Sequence, residues 1–113
     1  MNLAQQTCSA SIGRILLSGG EIDDLLAQVP GWSLSGREIR REFKLKNFRR
    51  AMELVNGVAS IANEQDHHPD IHISYNRVTF VLSTHTVGGL SLNDFILAAR
   101  INLLLEKTAE KAA

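Results

Sequence analysis

The chain is poor in most features that settle a fold or an activity by themselves. Its single cysteine, Cys8, cannot form an internal disulfide, so nothing argues for an oxidising compartment and the expected location is the cytoplasm. Lysine plus arginine balance aspartate plus glutamate at 12 each, which removes the overall charge footprint of a protein built to bind nucleic acid or an anionic membrane. Long hydrophobic runs are missing too: the greasiest stretches, 95–99 and 101–105, are split by Arg100 and fall short of the ~20 apolar residues a membrane span needs. The residues before Arg14, the first basic side chain, are small and polar, so no secretory signal is expected. No G-x-G-x-x-G, lysine-bearing phosphate loop or nucleophile elbow occurs, which takes dinucleotides, nucleoside triphosphates and acyl-enzyme chemistry off the leading list.

What is present suits one small domain. At 113 residues and 44% apolar content, folding should bury roughly two-thirds of the surface of the unfolded chain without help from a disulfide or structural metal. Residues 1–20 read as a polar arm with scope for mobility, and residues 21–113 as the domain. Ile22, Leu25, Leu26 and Val29 recur at helical spacing behind acidic Glu21, Asp23 and Asp24, and Pro30-Gly31 ends that helix. Trp32 and Leu34, a Ser35-Gly36 turn, then Ile39, Phe43 and Leu45 read as a hairpin whose apolar parity Arg41 interrupts. Phe48, Met52, Val55, Val58, Ala59 and Ala62 form one stripe of a helix running from Asn47 to about Gln65, before Pro69 forbids continuation. Ile71, Ile73 and Tyr75, an Asn76-Arg77 turn, then Val78, Phe80 and Leu82 read as a second hairpin, with Tyr75 packing beside the isoleucines, His72 on the wet face, and His85 continuing the parity of Thr79 and Ser83. Ser91 and Asp94 make a capping-box pattern for a last helix from Leu92 to about Lys107, so apolar that a subunit contact is expected on it. The order α-β-β-α-β-β-α predicts an α+β two-layer sandwich, a four-stranded antiparallel sheet with helices on one face.

Three of the four histidines, His67, His68 and His72, fall within six residues, and His85 follows. A solvated loop accounts for such a cluster without any function. A metal site would use the i, i+4 spacing of His68 and His72, but Pro69 breaks the helix that spacing needs and no further ligands complete a shell, so no metal is expected. General acid–base work remains, because imidazole offers both an acceptor and a donor near neutral pH.

The segments Asp66-His67-His68-Pro69-Asp70-Ile71, Tyr75-Asn76-Arg77-Val78, Leu82-Ser83-Thr84-His85, Gly88-Gly89-Leu90-Ser91 and Asn93-Asp94-Phe95 resemble the pterin-4a-carbinolamine dehydratase family, as do Gly31-Trp32 and residues 43–48. The resemblance runs from about Leu25 to Ile101. It implies a dehydratase that converts 4a-hydroxytetrahydropterin to quinonoid dihydropterin for reduction and return to an aromatic amino-acid hydroxylase, with no cofactor, as a homodimer or homotetramer. It implies His67 and His85 as acid–base residues, His68 as a third active-site histidine that binds and polarises the pterin, Asp66, Ser83 and Thr84 as substrate contacts, and Trp32 on the pocket wall. Pro69 and Asp94 stand near the site in structural roles. Asn63 departs from a position where the family often has an acid. The family also includes non-enzymatic relatives, dimerisation partners of transcription factors or factors linked to RuBisCO assembly, which make an interaction protein the alternative.

Overall fold

Each element begins or ends where a particular side chain takes over a backbone hydrogen bond. The computed structural model describes residues 2–112, so Met1 and Ala113, the outer ends of the expected arm and domain, lie outside the described residues. Helix α1 (Gly19–Leu26) opens on Ser18, whose Oγ accepts the Glu21 N–H while Glu21 Oε1 accepts the Ser18 N–H. That reciprocal pair starts the helix two residues ahead of the expected Glu21 and holds the Glu21 carboxyl below its ordinary pKa. Helix α2 (Phe48–Gln65) is capped as expected by Asn47, which accepts the Arg50 N–H at 3.0 Å. Its buried stripe is Ala51, Leu54, Val55, Val58 and Ala62, so the core face lies one residue round from the expected one and leaves Phe48 half exposed. Helix α3 (Leu92–Ala112) runs past the expected Lys107.

Four strands, β1 (Ser33–Ser35), β2 (Glu38–Lys44), β3 (Asp70–Ser74) and β4 (Arg77–Leu82), form one antiparallel sheet in the order β1-β2-β4-β3. The α+β class and the order α-β-β-α-β-β-α are those read from the sequence. Central strands β2 and β4 bury Ile39, Phe43, Val78, Phe80 and Leu82, and the Phe43 and Phe80 rings meet edge to face at 5.7 Å. Arg41 shares the parity of Ile39 and Phe43. Its guanidinium lies 4.5 Å from the centre of the Phe43 ring and donates to Pro30 O at 2.8 Å and Asn102 Oδ1 at 2.7 Å, which is how a charge survives on the apolar face.

Both turns sit one residue from where turn propensity puts them. Pairing of Ser35 with Glu38 and of Ser74 with Arg77 leaves Gly36-Arg37 and Tyr75-Asn76 as the loops, with the positive φ on Gly36 and Tyr75 rather than on Asn76. Asn76 instead uses its amide to donate to Leu45 O at 2.9 Å, while its carbonyl accepts the Leu45 N–H at 2.7 Å. The tertiary demand for that bridge outweighs the local preference of Asn for positive φ. Tyr75 is consequently a turn residue, exposed and stacked on Phe48 at 6.5 Å, instead of packing beside Ile71 and Ile73.

The N-terminal stretch explains why α3 is apolar on more than one side. Two short 3-10 turns, Leu3–Gln5 and Ile12–Arg14, lie against α3, and Leu3 and Cys8 enter the core. Cys8 N–H donates to Gln65 Oε1 at 2.9 Å, Ser9 and Asn93 exchange hydrogen bonds at 3.1 and 2.8 Å, and Arg100 donates to Gln6 O. Phe95, Ile96, Leu97 and Ala98 are fully buried inside one chain, and of the apolar positions expected at a subunit contact only Leu103 is exposed. Covering by the arm thus absorbs most of the apparent excess.

Two outcomes follow from these contacts. Gly31 has φ +89, and a Cβ there would collide with the Arg41 guanidinium, so Gly31→Ala should cost about 1–3 kcal/mol in urea unfolding. Gly36→Ala, at φ +62 with open space around it, should cost less; equal losses would show that the Arg41 contact contributes nothing. Burial, opposed by the Arg100 charge, raises the Cys8 thiol from 9.0 to about 11, so the folded state holds this proton more tightly than the unfolded one. Stability from this source is complete below pH 9 and is lost as pH rises through about 11. The native chain should therefore lose more unfolding free energy than Cys8→Ala across that alkaline window, and parallel pH profiles would count against the burial of the thiol.

Candidate active site

Helix α2 ends in a left-handed residue, and that residue is Asp66 (φ 51, ψ 42) rather than glycine. The Asp66 N–H bonds Asn63 O at 3.4 Å and the His67 N–H bonds Ala62 O at 3.2 Å, the paired closing bonds of a Schellman motif. A short polar side chain is among the few that tolerate this geometry. The chain turns sharply there, so His67, His68 and Pro69 cross from the helix end to the start of β3. Asp70, the first residue of β3, pairs with Val81 near the end of β4. Residues 66–69 and 83–85 therefore leave the sheet at the same end, side by side.

The segment after β4 does not continue the strand. Thr84 and Gly89 exchange both backbone hydrogen bonds, at 2.7 and 3.4 Å, pinching off a loop in which His85–Val87 form a 3-10 turn and Gly88 takes φ +68. His85 stands exposed on this turn, so the strand parity expected for its ring does not apply.

Asp94, in the first turn of α3, ties these pieces together with no solvent exposure. Its Oδ1 accepts from His67 Nε2 at 2.6 Å, and its Oδ2 accepts from Thr84 Oγ1 at 2.8 Å and from the Ser91 N–H at 3.0 Å. Thr84 has one hydroxyl proton and spends it on the carboxylate, so Ser91 Oγ must donate to Thr84 Oγ1 at 2.8 Å. The expected capping box is half made: Asp94 accepts the Ser91 N–H, but Ser91 Oγ serves Thr84 instead of the helix backbone. A carboxylate only accepts, so His67 carries its proton on Nε2, and Nδ1 has no partner among the described residues. Asp94 does more than cap a helix. It orients an imidazole, as the buried aspartate of a catalytic triad does.

The other expected site residues are distributed around this core. His68 is exposed, with Nε2 3.1 Å from Asn63 Oδ1, so the amide at the often acidic position still holds a histidine, without the charge. His85 and Ser83 line a cleft of about 280 Å3 with Arg37, Glu38, Gly88 and Gly89, a cleft that His67 and His68 do not line. The contributions of Arg37 and Glu38 escaped sequence reasoning because they sit on the β1–β2 hairpin, far away along the chain. Trp32 is placed elsewhere: its buried indole N–H donates to Asn102 Oδ1 at 2.8 Å, and Asn102 lies about 12 Å along α3 from Asp94. Pro69 is partly buried in the crossing segment, and His72 is exposed on β3. Among the described residues no three His, Cys, Asp or Glu side chains gather as a metal would require.

Residues 15–104 match a family model described as Pterin 4 alpha carbinolamine dehydratase. A protein of Chromobacterium violaceum, provisionally named pterin-4-alpha-carbinolamine dehydratase, is 40% identical over 107 residues, covering 95% of this chain and 99% of its own. Among solved structures, a transcriptional coactivator/pterin dehydratase from Brucella melitensis superposes with a TM-score of 0.76 at 34% identity, covering 80% of this chain and 98% of that one. A pterin dehydratase-like protein identified as a RuBisCO assembly factor in the alpha-carboxysome shares the fold at 19% identity and a TM-score of 0.54, over 65% of this chain and 84% of its own.

Thr84→Val would leave Asp94 Oδ2 with a single donor and Ser91 Oγ without an acceptor. We expect a loss of about 1–3 kcal/mol in urea unfolding, most of it restored in Thr84→Ser. Unchanged stability in the valine variant would show that the hydroxyl is dispensable to the Asp94 network.

Proposed function

Because the chain belongs to the pterin-4α-carbinolamine dehydratase family, we propose that it removes water from a 4a-hydroxytetrahydropterin to give the quinonoid dihydropterin. The observation that carries this reading is the buried Asp94 carboxylate, which holds His67 by Nε2, leaving Nδ1 without a partner among the described residues, and holds through Thr84 the loop that presents His85. The N5 proton passes to His67 Nδ1, the N5 electron pair forms the N5=C4a double bond, and the C4a–O bond breaks. The hydroxyl takes a proton from His85, which acts as the imidazolium, and departs as water; that ring ends neutral as His67 becomes the cation, so charge balances. Asp94 stabilises the imidazolium as it forms, and its other oxygen is already saturated by Thr84 and Ser91, so little reorganisation is needed.

In this reading His68, held by Asn63, binds and polarises the ring, and Asp66 and Ser83 supply further substrate contacts. The Thr84 hydroxyl is committed to Asp94 and its backbone N–H and C=O to the 85–89 loop, so any contact from that residue is non-polar. Reduction of the product returns the pterin to an aromatic amino-acid hydroxylase in the cytoplasm. Assembly as a homodimer or homotetramer would use the apolar surface left by Leu103, Ile73 and the Phe48–Tyr75 stack. The interaction-protein alternative draws no support from the RuBisCO assembly factor, which shares only the fold.

Purified protein should speed the decay of carbinolamine generated in situ by a hydroxylase, and His67→Ala with His85→Ala should abolish the excess. Asp94→Asn should lower kcat about 100-fold or more with KM little changed, because it removes an interaction that strengthens in the transition state. Decay no faster than the spontaneous rate with the unmodified protein would overturn the proposal.

A further inference from the structure

The cleft at His85 does not end at its loop. Arg37, Gly88 and Gly89 also line a second cavity of about 410 Å3, whose other lining residues include the apolar Leu16, Leu17, Ile22, Val87 and Leu90. By itself the His85 cleft is at the small end for a ligand site, whereas a ligand reaching over the shared residues into its neighbour would occupy a volume within the ordinary range. The shared wall is built. The Leu17 N–H donates to Leu90 O at 2.9 Å, pinning residues 15–17 along the loop, and the loop is held from below by the Thr84–Gly89 pair. Leu16 lies close over Gly89: a Cβ there would stand 2.8 Å from Leu16 Cδ1, so a larger residue at 89 would push the Leu16 side chain aside.

Resting on the reading given under Proposed function, the geometry points to a pterin with a long apolar substituent at C6 as the preferred substrate class. C6 is bonded to N5, so a substituent there leaves from the reacting edge of the ring, beside His85, and enters the groove between the N-terminal stretch and the loop at 85–90. An aryl or alkyl arm buries apolar surface against Leu16, Leu17, Ile22 and Leu90, which a methyl group cannot reach and a polyhydroxylated chain cannot desolvate without loss. Arg37 stands at the junction of the two cavities, where its guanidinium can serve a polar linker atom.

Two stable ligands test this by calorimetry on the full chain: 6-methyl-7,8-dihydropterin and a 7,8-dihydropterin bearing a 6-arylaminomethyl arm. The arm should tighten binding about tenfold or more. Leu16→Ala should erode that preference and Leu16→Glu should abolish it, with affinity for the methyl compound unchanged in both; Leu16 is half exposed, so neither change threatens the fold. Equal affinity for the two ligands, or a preference that survives Leu16→Glu, overturns the groove and leaves the dehydratase reading standing. Binding of neither ligand overturns the pterin reading and the groove together.

Discussion

A carboxylate with no access to water must find its hydrogen bonds inside the protein, and Asp94 finds three, from three separate segments. Left unpaired, such a group would cost several kcal/mol, so the segments that satisfy it are constrained to arrive together. One is the segment after α2, through His67; the second is the loop after β4, through Thr84; the third is the turn into α3, through Ser91. The same bonds that make the fold consistent decide which nitrogen of His67 is free. Stability and chemistry therefore meet in one side chain.

Around that point the molecule is arranged to accommodate polar groups in places where the hydrophobic pattern has no room for them. Arg41 occupies a core-facing strand position because Phe43 offers a ring face, Pro30 and Asn102 offer acceptors, and Gly31 offers space. Asn102 takes hydrogen bonds from both Arg41 and Trp32, so one amide serves two large side chains. On the other side of α3, Gln65 and Asn93 receive the N-terminal stretch by its backbone. The N-terminal stretch thus covers a helix, with Leu3 and Cys8 as its buried hydrophobic anchors among the described residues.

The regular elements were legible because their signals are local. Asn47 caps α2, Pro69 keeps helix from running on, and the alternation through Val78, Phe80 and Leu82 marks a strand buried on one face. Where a local preference competed with a long-range contact, the contact prevailed: Asn76 gave up the positive φ to bridge to Leu45, and Tyr75 took it. The last helix was read as too apolar to be covered by its own chain, since nothing near residue 95 in the sequence announces that residues 3–14 lie against it. Trp32 illustrates the same limit from the other side, as its partner Asn102 is 70 positions away.

Spacing and residue type alone determined the three helices, the two hairpins and the short roster of side chains able to move protons, because periodicity and capping act within a few residues. The tertiary structure decided which of those side chains meet. Only the shared end of β3 and β4 puts the His67 segment beside the Thr84 loop, and only a dry carboxylate between them orients the imidazole, since hydrogen-bond satisfaction in a buried site is a condition on the assembled protein and not on any one stretch of it.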